Sequence, residues 1–263
     1  VLSSAPIAYV KWDMNRNMTE IGSACLPPER QRETAHRYML GLYSVLERIT
    51  SAFPHVLFES CSGGGGRFDP GMLYYMPQTW TSDNTDAISR LKIQYGTSIV
   101  YPVSAMGAHV SAVPNHQVGR VTPLETRGAV AMSGNFGYEL DLTKFTGEEK
   151  ELVKAQVKLY KEIRHLVQFG DFYRLISPFE GNAAAWMFVA KDKREAFVVY
   201  VQVLQEPYAP LDRFRLKGLD PDLDYELDAD GLVYGGDELM NAGLPVPQFQ
   251  GDFRSRMYRL RAR

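Results

Sequence analysis

The feature that most constrains this chain is the alternation of short apolar strands with amphipathic helices through its first part. Residues 7–12 read as a strand ending in Asp13-Met14-Asn15-Arg16. Pro27-Pro28 opens a helix over about 29–51, with Tyr38, Leu42, Val45, Leu46 and Ile49 at helical spacing. Further strands are expected at 56–59, at 73–76 (running into Trp80-Thr81-Ser82-Asp83), at 105–112 and at 136–140, with helices over 86–95, 123–132 and 147–168. Alternation at this spacing predicts parallel βα units, and strands this apolar are expected where both faces of a sheet are covered. Five such units fit part of a (β/α)8 TIM barrel. Five strands cannot close an eight-stranded barrel, so the first three units are expected to precede Val1. The chain opens on Val-Leu-Ser-Ser with a strand close behind, which reads as an internal piece of something longer, with a trimmed chain as the alternative.

After about residue 177 the texture changes. Strand-like runs at 184–189, 196–201, 212–216, 224–227 and 255–260 are separated by turn signals such as Leu219-Asp220-Pro221-Asp222 and Gly235-Gly236, with no return of helical periodicity. This predicts a small antiparallel β-domain, read as a sandwich, over 177–263, following a partial barrel over 1–176. The formal net charge is −2, from 29 basic and 31 acidic residues without a basic cluster, which speaks against a nucleic-acid partner. No apolar run approaches the length of a membrane helix and no secretory signal is visible. The two cysteines, Cys25 and Cys61, are too few for a disulfide framework and read as reduced thiols, so a cytoplasmic location is expected. A neutral or polar small molecule is the substrate class that fits.

In a βα barrel, chemistry sits at the C-terminal ends of strands. Asp13 stands at one such end; an aspartate there can be a turn former or helix cap, but Lys11 and Asn15 are each two residues away and share its side of the strand. A carboxylate beside an ammonium stays ionised, the form a carboxylate nucleophile needs. A second end carries Cys61-Ser62-Gly63-Gly64-Gly65-Gly66, a glycine run that is either a flexible loop or a place where backbone N–H groups approach a ligand; it lacks the lysine of a phosphate loop. A third carries Trp80-Thr81-Ser82-Asp83-Asn84-Thr85-Asp86, where Asp83 or Asp86 could cap the next helix, or a carboxyl group near Trp80 could be held partly desolvated, as suits a general acid. Two carboxylates at neighbouring strand ends are the minimum equipment for glycoside hydrolysis. No His, Cys, Asp and Glu set has metal-ligand spacing, so neither a metal nor another cofactor is expected.

The strings Lys-Trp-Asp-Met-Asn-Arg (11–16), Cys-Ser-Gly-Gly-Gly-Gly-Arg-Phe-Asp-Pro-Gly (61–71) and Thr-Ser-Asp-Asn-Thr-Asp-Ala (81–87) resemble those of glycoside hydrolase family thirty-six, the larger microbial α-galactosidases. His109-Val-Ser-Ala-Val-Pro-Asn-His116 and Gly119-Arg120 are similar too, so the likeness runs from about Ala8 to Gly137. The resemblance implies Asp13 as nucleophile and Asp83, 70 residues on, as acid/base. It implies Lys11, Asn15, Cys61, Gly63, Gly64 and Trp80 as sugar contacts, and strands four to eight of the barrel for this chain. The implied activity is retaining removal of terminal α-galactosyl groups from oligosaccharides such as raffinose and melibiose, by a homo-oligomer when full length. A transglycosylating relative is a second reading. A non-catalytic sugar-binding piece is a third, because residues of the first three strands and of a large N-terminal β-domain are not in the chain.

Overall fold

The computed structural model describes residues 1–15, 18–61, 68–207, 211–228 and 231–263. Along the first part run β1 (Tyr9–Asp13), α1 (Thr34–Ala52), β2 (Leu57–Cys61), α2 (Pro70–Tyr75), β3 (Gln78–Trp80), α3 (Ala87–Val100), β4 (Met106–Ser111), α4 (Leu124–Ala131), β5 (Asn135–Glu139) and α5 (Gly147–Phe169). Then follow β6 (Asp171–Ile176), β7 (Ala183–Val189), β8 (Glu195–Gln202), β9 (Arg213–Phe214), β10 (Asp224–Leu227), β11 (Val233–Gly235), α6 (Gly236–Asn241), β12 (Leu244–Pro245) and β13 (Arg254–Ala262). The result is an α/β fold with two main sheets. One has the order β1-β2-β3-β4-β5, its first four strands parallel; the other is antiparallel, in the order β11-β10-β13-β8-β7-β6.

By its internal contacts the chain divides into two units, residues 1–83 with 105–107, and residues 84–104 with 108–263. In the first, α1 turns Met39, Leu42, Tyr43, Leu46 and Ile49 toward Val56 and Phe58, and α2 adds Met72. Val10 and Trp12 join the same cluster from β1. Leu46 and Met72 are wholly buried, and burying a side chain of that size contributes about 1.5–3 kcal/mol. The buried stripe of α1 is therefore rotated from the expected one: Tyr38 and Val45 lie at its exposed margin. The expected strand at 73–76 is a helix instead. Asp69 caps it by accepting from Met72 N at 2.8 Å, and Pro70 occupies its first turn, so a strong start signal outweighs the strand preference of two adjacent tyrosines. The third strand is only the three residues that follow, Gln78–Trp80.

In the second unit, β7 and β8 carry almost continuous buried runs at the centre of the antiparallel sheet, and Met187, Val198, Tyr225, Leu239 and Leu260 form its core. β6 pairs antiparallel with β7, so residues 171–176, assigned by sequence to the barrel part, hydrogen-bond in this sheet. Among the described residues helix does recur after residue 177, as the short α6. Helix α5 opens with a capping box: Thr146 Oγ1 accepts from Glu149 N at 3.2 Å, and Glu149 Oε2 accepts from Thr146 N at 2.9 Å. Among the described residues no helix is long and apolar enough to cross a membrane.

Candidate active site

Strand register builds the site. Asp13 on β1 is opposite Cys61 on β2, Cys61 is opposite Trp80 on β3, and Trp80 is opposite Gly107 on β4. Two residues earlier on each strand, Lys11, Glu59 and Gln78 form a second row. Partners in register on parallel strands share a face, and alternation puts both rows on the same one. The intervening residues Val10, Trp12 and Phe58 face the helices and close the apolar cluster described above. The pleat thus divides the strands: one side is core and the other carries the candidate site residues.

In the upper row, Asp13 is exposed and its Oδ2 accepts from Asn15 Nδ2 at 3.1 Å. Beside it Cys61 is buried, and its thiol donates to the Asp13 carboxylate. The thiol is pushed up to about 11, first by burial, then by that hydrogen bond and by the negative charges of Asp13 and Asp83, with the Lys11 ammonium opposing. Both predicted acids therefore act on one thiol. Asp83 is exposed, three residues beyond Trp80, and it does not cap α3. That role belongs to Asp86, which accepts from Ser89 N at 2.8 Å and pairs with Arg120. The ambiguity between these two aspartates is thus divided, Asp86 serving the helix while Asp83 stays exposed.

Trp80 is 4% exposed, and Lys11 Nζ stands 4.4 Å from the centre of its ring. A Cβ on Gly107 would lie 3.0 Å from that ring, which is why the smallest residue is needed there. The ion-pair partner of Lys11 is Glu59, at 3.7 Å, rather than the aspartate two residues along its own strand. Glu59 and Gln78 were not singled out in the sequence. The available signal was a carboxylate inside an apolar strand covered on both faces, which must find a partner. Gly63 and Gly64 lie outside the described residues. Among the described residues no group of three or more His, Cys, Asp or Glu is placed to hold a metal ion.

Acidic side chains at and beyond the C-terminal ends of parallel strands fit a glycosidase, and the family comparison bears on the same class. Residues 1–170 match the Melibiase family and residues 183–260 the Glycosyl hydrolase family 36 C-terminal domain, and the chain belongs to this family. It is 74% identical over 262 residues to Alpha-galactosidase AgaA of Geobacillus stearothermophilus, covering 100% of this chain and 36% of the relative. The crystal structure of the α-galactosidase AgaB from the same organism superposes with a TM-score of 0.96 at 74% identity, covering 100% of this chain and 36% of that one. A variant of AgaA in complex with raffinose superposes with a TM-score of 0.96 at 73% identity (99% and 36% covered), and another in complex with stachyose with 0.96 at 74% (99% and 36%). The chain thus spans 36% of the length of AgaA and of two further curated relatives, from Pediococcus pentosaceus and Lactobacillus acidophilus.

Proposed function

We propose that the complete protein containing this chain is a retaining α-galactosidase, acting on oligosaccharides of the raffinose type. What supports the reading is that Asp13 closes β1 opposite the buried Cys61, and that the charges of Asp13 and of Asp83, three residues beyond β3, both raise the pKa of that thiol. The galactosyl oligosaccharides bound by AgaA support the substrate class. The two AgaA variants in those complexes are each altered at an aspartate, and the two altered positions lie as far apart in sequence as Asp13 and Asp83.

In the first step an Asp13 carboxylate oxygen attacks the anomeric carbon and the glycosidic C–O bond breaks. The carboxyl proton of Asp83 goes to the leaving oxygen. In the second step the Asp83 carboxylate takes a proton from water, the water oxygen attacks the anomeric carbon, and the bond to Asp13 breaks. Two inversions leave the α configuration intact, and a separation of about 5–5.5 Å between the carboxyl groups is the geometry such a sequence needs. Lys11, Asn15, Cys61, Gly63, Gly64 and Trp80 serve as sugar contacts, with Trp80 offering an apolar face and Lys11 a donor. The parallel strands are read as strands four to eight of a (β/α)8 barrel over 1–176 and the antiparallel sheet as part of a β-sandwich over 177–263, in a cytoplasmic enzyme.

The test is turnover of raffinose by the complete gene product, with the first-formed anomer of galactose followed by proton NMR. The α anomer should appear first, and Asp13→Ala should abolish turnover while leaving sugar binding measurable. Initial release of the β anomer, or near-normal turnover by Asp13→Ala, would refute the mechanism. Oligosaccharide products formed in preference to free galactose would favour transglycosylation.

A further inference from the structure

Among the described residues two carboxylates are almost fully buried. Asp86 caps α3 and pairs with Arg120, whereas Glu59, 1% exposed, takes no part in the double displacement above. Glu59 lies in the row beneath Asp13, Cys61 and Trp80, on the face that carries the chemistry. Its Oε1 is 3.7 Å from Lys11 Nζ, and its Oε2 accepts from Gln78 Nε2 at 2.8 Å. Gln78 Nε2 also donates to Tyr9 Oη at 3.0 Å. The carboxylate is thus fixed by strands on either side of its own.

A carboxylate withdrawn from water is strongly disfavoured unless it is paired, so its presence beneath the row of Asp13, Cys61 and Trp80 calls for a reason. The reason lies in Lys11. A lysine ammonium rides on a flexible four-carbon stem and by itself samples many positions. Here it is held between two groups on different strands, the Glu59 carboxylate of β2 and the Trp80 ring of β3, 4.4 Å from the ring centre. The geometry points to Glu59 as a positioning residue. It fixes the Lys11 ammonium against Trp80, so that the remaining ammonium N–H donors meet the hydroxyls of the galactosyl group, and it acts on the reaction only through Lys11. This role rests on the α-galactosidase reading and on Lys11 as a sugar contact.

The experiment is steady-state kinetics on the complete protein with p-nitrophenyl α-galactoside, for the wild type, Glu59→Gln, Lys11→Met and the double variant. Glu59→Gln keeps the side-chain shape and an acceptor for Gln78 while removing the charge. It should raise KM about tenfold with kcat within about twofold, the pattern of lost uniform binding. In the Lys11→Met background the same substitution should shift KM by less than about twofold, because its target is already gone. A purely structural role would give the same change in both backgrounds. Equal KM increments with and without Lys11, or an unchanged KM in the single variant, would overturn the assignment. Should Glu59→Gln fail to fold, Gln78→Met probes the same carboxylate from its other side. It should raise KM about threefold, and only while Lys11 is present; a rise independent of Lys11 would overturn the role equally. Absence of α-galactoside turnover in the wild-type protein would remove the hydrolase reading as well, whereas additivity in an active enzyme removes only the role of Glu59.

Discussion

Cys61 is a sensor of both acids, and its titration can be moved by altering either. The folded thiol titrates near 11 against a usual 9.0, because it is buried, donates to Asp13 and sits in the negative field of Asp13 and Asp83. Two units of pKa correspond to about a hundredfold less thiolate at any pH below 9, and the thiolate is the reactive species. The perturbation is Asp13→Asn in a Cys25→Ser background, which leaves Cys61 as the one thiol of this stretch of chain, read at its own peptide. Asparagine removes the charge and the charged acceptor but not the burial, so the Cys61 value should fall while staying above 9.0. The assay is alkylation by iodoacetamide across pH, quantified by mass spectrometry. With Asp13 intact the rate should climb about tenfold per pH unit up to about 11; in the variant it should level off earlier and at about pH 8 exceed the first severalfold. Asp83→Asn should shift the profile the same way by less, since its charge is the smallest contribution. The same shift enters stability with a definite sign. The unfolded thiol loses its proton near 9.0 and the folded one keeps it to about 11, so this share of stability is complete below about 9 and declines as pH rises to about 11. Identical profiles in both proteins, or a midpoint near 9 with Asp13 intact, would refute the arrangement of acids around the thiol.

Other perturbations test the scaffold and the pocket floor. Phe188 is wholly buried and 5.1 Å from the ring of Phe172, so Phe188→Ala should cost about 3–5 kcal/mol in urea unfolding, and a loss below about 1 kcal/mol would contradict the packing. Thr146→Ala removes the cap of α5 and should cost about 1 kcal/mol by the same measurement, with no loss if the capping box is absent in solution. Gly107→Ala places a methyl group 3.0 Å from the Trp80 ring, so the indole must shift and KM for an α-galactoside should rise severalfold; an unchanged KM would show that the ring does not depend on that space.

Much of the fold was legible because its signals are local. The periodicity of α5, the apolar runs of β7 and β8, and most of the βα alternation depend on neighbours in sequence, and α5, β7 and β8 lie where the pattern placed them. The miss at 73–76 came from weighing Tyr74 and Tyr75 above the Asp69-Pro70 start signal, and the missed strand β6 is a short run directly after a long helix. In the candidate site, Asp13 with Lys11 and Asn15 could be picked out from a strand end, whereas Cys61 and Trp80 were named through the family resemblance. The partner of Lys11 could not be named, because Lys11 and Glu59 are 48 residues apart and meet only through strand register. As strand-end aspartates Asp83 and Asp86 were equivalent, and the resemblance singled out Asp83; the structure adds that Asp86 is buried, accepts from the Ser89 amide and pairs with Arg120.

The odd positions 57, 59 and 61 and the even positions 58 and 60 of β2 point in opposite directions, and the protein uses both. Deleting Leu57, with the register held from the N-terminal side, would therefore do more than shorten a strand. It would turn Glu59 and the thiol toward the hydrocarbon packed under α1 and raise Phe58 to the opposite face, so that stability and activity would fail together. For this segment point substitutions are survivable edits, whereas a change of length by an odd number is a change of protein.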